Sequence, residues 1–145
     1  MYFLIKHQMK KILTLIITLV MSASMFSLSA DEVIHMKATS FSSRQYDYQY
    51  GFWHDWGDWE PCDVRIDINV TRDMVVVHSA KLQVYSIYSV VEQSNDPYGG
   101  KYVKYGVVDE DDSIGYMRLR LQSDGTAQIY FDFSNIMFVY TVIRL

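Results

Sequence analysis

Val64, Ile66, Ile68 and Val70 alternate with Arg65, Asp67 and Asn69. A period of two presents a single apolar face and predicts a half-buried strand. Thr71-Arg72-Asp73 separates it from Met74–Ser79, whose Val75-Val76-Val77 is β-branched throughout. Lys81–Val91 alternates less cleanly, with Leu82, Val84, Tyr88 and Val90 on one side and Tyr85, Ile87 and Val91 on the other. That pattern predicts a strand covered on both faces. Asn95-Asp96-Pro97-Tyr98-Gly99-Gly100 is a turn or loop signal, followed by a strand over Tyr102–Val108 and a break at Asp109–Ser113.

The C-terminal third fixes a register. Met117, Leu119 and Leu121 alternate with Arg118 and Arg120; beyond Ser123-Asp124-Gly125, Ala127, Ile129, Phe131 and Phe133 alternate with Gln128, Tyr130 and Asp132. A two-residue Asp-Gly loop sets Leu121 opposite Gln128 and mixes the faces. A three-residue Ser-Asp-Gly loop, with Gly125 left-handed as a bulge, pairs Leu121 with Ala127, Leu119 with Ile129 and Met117 with Phe131. Only that register keeps one face apolar. Ser134-Asn135 then turns the chain into Ile136–Ile143, setting Phe131 opposite Phe138 and Ile129 opposite Tyr140.

After residue 30 no stretch shows sustained helical periodicity with caps. Adding Val33–Ser40 and Gln45–Phe52 to the later runs gives roughly eight or nine short strands joined by tight turns. The expected fold is all-β, one small antiparallel meander closed as a barrel or stacked as a sandwich. The 145 residues suit one domain.

The N-terminus reads differently. Lys6, Lys10 and Lys11 precede the apolar run Ile12–Val20, interrupted only by Thr14 and Thr18, and Ser27-Leu28-Ser29-Ala30 closes it. A basic flank, a short apolar helix and a small-residue end make a secretory signal peptide, with cleavage expected after Ala30. Met9-Lys10-Lys11 reads as its start. The run is shorter than the ~20 residues of a membrane span, so no span is expected in the mature form. Residues 1–30 are the signal, residues 31–145 the single β domain, and the destination is the periplasm or the outside.

Removing the signal takes three basic residues and no acidic one, leaving 10 against 17 and a net charge of −7. Such a domain repels a phosphate backbone, so nucleic acid is not an expected partner. It also lacks the Lys/Arg cluster that holds an anionic membrane. Cys62 is the single cysteine, which excludes an intrachain disulfide and multi-cysteine zinc sites. A small buried or half-buried side chain is its expected role, with intermolecular pairing as the alternative.

Candidate chemistry gathers at Gly51-Phe52-Trp53-His54-Asp55-Trp56-Gly57-Asp58-Trp59-Glu60, which holds every Trp of the chain. Just before it, Tyr46, Tyr48, Tyr50 and Phe52 fall at strand period, placing four rings on one face. Tyr46, Tyr48, Tyr50, Trp53, Trp56 and Trp59 are therefore the candidate ligand-binding residues, because such rings offer large rigid surfaces to sugars and other flat, partly apolar ligands. The competing reading makes them core, plugging one end of a barrel. His54, Asp55, Asp58, Glu60 and Cys62 are metal-capable but lack zinc-finger spacing. Asp109-Glu110-Asp111-Asp112-Ser113 reads as a solvated acidic turn, since an EF-hand would need Gly at Ile114 and Glu at Arg120. No metal and no cofactor are implied.

Catalysis has little to build on. The mature histidines are His35, His54 and His78, and hydrolase or phosphate-loop motifs are absent from the sequence. Cys62 with His54 or His78 is the conceivable nucleophile–base pair, and His78 faces Asp67 as a surface pair if the hairpin register allows.

Gly51-Phe52-Trp53 resembles the Gly-x-Trp that opens the first barrel strand of lipocalins and related calycins, and Arg144 resembles the Arg that packs over that Trp. The pattern is also similar to small secreted bacterial β-proteins. The resemblance implies a barrel carrying a small apolar ligand in its mouth, with Trp53 and Arg144 in structural roles. The expected function is thus a secreted, non-catalytic β domain that binds a small apolar or carbohydrate ligand or serves structurally. The alternative is a protein-recognition or inhibitor domain acting on a periplasmic or host protein through loops such as Asn95–Gly100.

Overall fold

A computed structural model describes residues 30–95, 100–124 and 126–145. Residues 1–29, nearly all of the segment expected to be a signal peptide, together with Gly125 and most of the Asn95–Gly100 loop, lie outside the described residues. Nine strands follow in chain order: β1 (Val33–Asp47), β2 (Phe52–Trp53), β3 (Glu60–Asn69), β4 (Met74–His78), β5 (Gln83–Asn95), β6 (Lys101–Asp109), β7 (Ile114–Leu121), β8 (Ala127–Asp132) and β9 (Ile136–Arg144). Each of β3 to β9 pairs antiparallel with its sequence neighbour, β1 pairs with both β3 and β9, and β2 adds to the end of β1. The result is a closed eight-stranded meander barrel with one short extra strand. Closure resolves the choice between barrel and sandwich, and it leaves β1 and β9 without open edges along their paired length.

The C-terminal register is as the apolar faces require. Leu121 pairs with Ala127, Leu119 with Ile129 and Met117 with Phe131; Phe131 then pairs with Phe138 and Ile129 with Tyr140. These side chains point inward and are buried, together with Met36, Ala38, Ile66, Ile68, Val75, Val77, Val103 and Val107.

Two expectations require correction. Val33–Ser40 and Gln45–Phe52 are not separate strands. A register shift between Ala38 and Ser40 bends β1 without breaking it, so a single strand runs to Asp47. There the Asp47 carboxylate accepts hydrogen bonds from the backbone N–H groups of Gln49 (2.9 Å) and Tyr50 (3.0 Å), and Gly51 takes a φ of 72°. This aspartate-capped turn ends the strand at Tyr48, so Tyr46, Tyr48, Tyr50 and Phe52 do not share a strand face. Tyr48 and Tyr50 are 69% and 72% exposed.

The second correction concerns β5, which is covered on one face only. Register shifts at Ile87/Ser89 and Val90/Glu92 break the period of two, so Tyr85, Ile87 and Val90 turn inward while Tyr88 and Val91 face solvent. Two bulges, not burial of both faces, make the alternation irregular. Tyr88 lies instead across Gly106 of β6, where an added Cβ would stand 2.7 Å from its ring.

Candidate functional site at the barrel mouth

Among the described residues the barrel interior is packed toward one end and open at the other. At the filled end Ile34, Ile68, Val70, Leu121 and Ala127 close the interior. At the other end a cavity of about 600 Å³ opens among residues of β1, β3, β5, β6, β9 and three loops. Its lower wall is aromatic. Tyr85 stacks on Phe131 at 4.5 Å between ring centroids, and Phe131 stacks on Phe138 at 5.1 Å. Phe131 is fully buried beneath, while Tyr85, Phe138 and Tyr140 line the open volume with Phe41, Val64, Phe133 and Ile136.

A short polar track runs up one side. The Tyr85 hydroxyl donates to Gln83 Oε1 (2.5 Å), Gln83 Nε2 donates to Ser79 Oγ (2.8 Å), and Ser79 Oγ donates to the Lys81 carbonyl (2.6 Å). Burial raises the Tyr85 phenol far above its ordinary value, with the charges of Tyr140 and Asp109 adding to it. Burial likewise raises Tyr140, against a hydrogen bond with Gln83. The Cys62 thiol, half-buried and 3.6 Å from the Ala38 carbonyl, is raised by burial and by neighbouring Asp63. These groups are therefore neutral near pH 7, and the wall below the rim carries no charge.

The six rings expected to bind a ligand lie away from this cavity. Tyr46, Tyr48, Tyr50, Trp53, Trp56 and Trp59 belong to the hairpin and connection outside the barrel, and none lines the mouth cavity. Nor do they plug the barrel. The stretch after β2 runs back along β1, with backbone bonds from His54 to Gln45 and from Gly57 to Ser43 and a bond from Ser42 Oγ to the Gly57 carbonyl (2.7 Å). Trp56 crosses β9 on the outside to meet Tyr130 at 6.2 Å, which explains why outward-facing Val139 is only 2% exposed. Tyr46 meets Tyr48 and Trp53 edge-on.

The Arg over Trp53 is Arg44, not Arg144. Its guanidinium carbon sits 5.2 Å from the Trp53 ring and 5.0 Å from that of Trp56. Trp53 opposes Tyr46 near one end of β1, whereas Arg144 opposes Met36 near the other, so the strand itself holds the two apart.

On the outer face of the barrel, His35, Asp67 and His78 meet across β1, β3 and β4. His35 Nδ1 stands 2.6 Å from Asp67 Oδ1 and His78 Nε2 2.9 Å from Asp67 Oδ2, while Arg65 Nε donates to Asp67 Oδ1 (2.9 Å). His78 lies in register with Arg65, so it reaches Asp67 diagonally. Among the described residues no three His, Cys, Asp or Glu are arranged to hold a metal ion. Asp109 Oδ1 accepts from the N–H groups of Asp111 and Ser113, which organises the acidic turn, with Asp112 at a φ of 62°.

Comparison with protein-family models, with curated proteins and with solved structures finds no match to this chain.

The mouth residues escaped the sequence reading because Val64, Tyr85, Phe138 and Tyr140 each read as core on their own strands, while Phe41 fell between two expected strands. Gln83 carried the one available signal: a polar residue at the strand end that feeds Tyr85 inward.

Proposed function

We propose that this chain is an exported, non-catalytic barrel that binds a small apolar or amphipathic ligand in its mouth. The cavity of about 600 Å³ carries the reading. An eight-stranded barrel is narrow enough for side chains to fill, and leaving apolar volume open forfeits packing energy. An open, aromatic-walled pocket with a few polar groups at its edge is the usual form of a small-molecule site. Lys6, Lys10 and Lys11 ahead of Ile12–Val20 support export.

Titration with the neutral fluorophore N-phenylnaphthylamine tests this. Saturable binding of one molecule per chain is expected, and Val64→Trp, which fills the cavity, should abolish it without lowering the melting temperature. Binding unchanged in that variant would place the ligand elsewhere.

The projecting hairpin favours a second reading, recognition of another protein, because Tyr48, Tyr50, Phe52 and Trp59 are exposed rings within one short segment. Replacing Tyr48, Tyr50 and Trp59 by Ser should then remove partner binding and leave fluorophore binding intact.

A further inference from the structure

The charge around the mouth bears on what enters it, and this inference rests on the mouth reading above. Strand pairing places the end of β1, the start of β3 and the loops β4–β5, β6–β7 and β8–β9 at one end of the barrel. The end of β6 and the loop after it bring Asp109, Glu110, Asp111 and Asp112 to that rim, and the end of β1, the connection after β2 and the start of β3 add Asp47, Asp55, Asp58 and Glu60. Lys81 is the one basic residue lining the cavity among those described. Of the other cations near this end, Arg44 is held between Trp53 and Trp56 on the outer face, His54 Nε2 pairs with Asp47 at 3.3 Å, and Arg65 and His78 pair with Asp67 at 2.9 Å each.

Asp109 is more than part of a charged run. It lines the cavity itself, and its two backbone hydrogen bonds fix the carboxylate at the cavity edge. Below it, Phe41, Tyr85, Phe133, Phe138 and Tyr140 surround an uncharged interior. A charge entering there loses water among aromatic rings, whose π-electron faces attract cations and disfavour anions. A cation gains from those faces and from the carboxylates outside, and an anion is repelled by both. We infer that the mouth selects an organic cation, an ammonium or alkylammonium head borne on an apolar body, over neutral or anionic molecules of similar shape.

Three probes of similar body test this: phenylpropyltrimethylammonium, phenylbutanol and phenylbutyrate, titrated calorimetrically into the purified protein. The ammonium should bind about tenfold more tightly than the alcohol, with the carboxylate weakest. The gap should narrow in high salt and in the triple variant Glu110→Gln, Asp111→Asn, Asp112→Asn, which leaves the Asp109 hydrogen bonds in place. Equal affinity for all three, or a preference for the carboxylate, overturns the inference and leaves the mouth reading standing. Failure of all three to bind overturns it as well, and the naphthylamine titration then decides whether the mouth reading falls with it.

Discussion

The Phe133 ring packs directly on the bare backbone of Gly115: an added Cβ would stand 2.7 Å from its Cδ1 and Cε1 atoms and 2.7 Å from the Asp132 carbonyl oxygen. Any side chain at 115 must therefore push Phe133 out of the mouth wall or shift β8. Gly115→Ala should destabilise the barrel by about 1–3 kcal/mol and weaken fluorophore binding, as urea denaturation and titration will report. Full stability with full binding would mean that the strand yields at no cost.

Asp67 joins β1, β3 and β4 through His35, Arg65 and His78. Burial raises its carboxyl, but hydrogen bonds from His35, Arg65 and His78 outweigh this and leave it below the usual carboxylate value. A depressed carboxylate stabilises the fold above its unfolded value of about 3.9. That contribution disappears as pH falls through the folded value. Asp67→Asn should cost about 1 kcal/mol at neutral pH, a small figure because the three partners are largely exposed, and should flatten the acid limb of the melting-temperature profile.

Arg44 lies between two indoles, its Nε buried without a hydrogen-bond partner among the described residues and one guanidinium nitrogen 3.2 Å from Met137 Sδ. Arg44→Ala should release Trp53 and Trp56, shift tryptophan emission to the red and cost about 1–2 kcal/mol. Arg44→Lys should recover only part of this, since an ammonium cannot stack on two rings at once.

The Tyr105 hydroxyl is fully buried and also lacks a partner among the described residues, and burial lifts its phenol far above the ordinary value. Tyr105→Phe should therefore leave stability unchanged or raise it by up to about 1 kcal/mol, measured by thermal or chemical denaturation. A clear loss would show that a water molecule satisfies the hydroxyl.

The strands from β7 to β9 were legible because a single constraint, one apolar face across Ser123–Gly125 and Ser134–Asn135, admits a single register. The bulges at Thr39, Tyr88 and Val91 were not, because one extra residue inverts the alternation beyond it while the local composition stays the same. The turn at Tyr48 was hidden by rings that suit a strand better than a turn; Asp47 and Gly51, four residues apart, held the contrary signal. The mouth is the least legible part. Its wall comes from strands far apart in the chain, and nothing in Tyr85 or Phe138 alone tells an open face from a packed one.

Closure through β1 and β9 also orders events in time. Phe41 cannot meet Tyr140, nor Ala38 meet Val142, until nearly the whole chain has been made. Every other barrel pairing joins strands adjacent in sequence, or, for β1 with β3, separated only by short β2, and can form as the chain emerges, whereas this one closes a loop of about a hundred residues. Until β9 arrives, β1 and β8 present bare edges able to pair with another unfinished copy. A chain whose last strand has not yet docked thus faces its greatest aggregation hazard at the last step of folding.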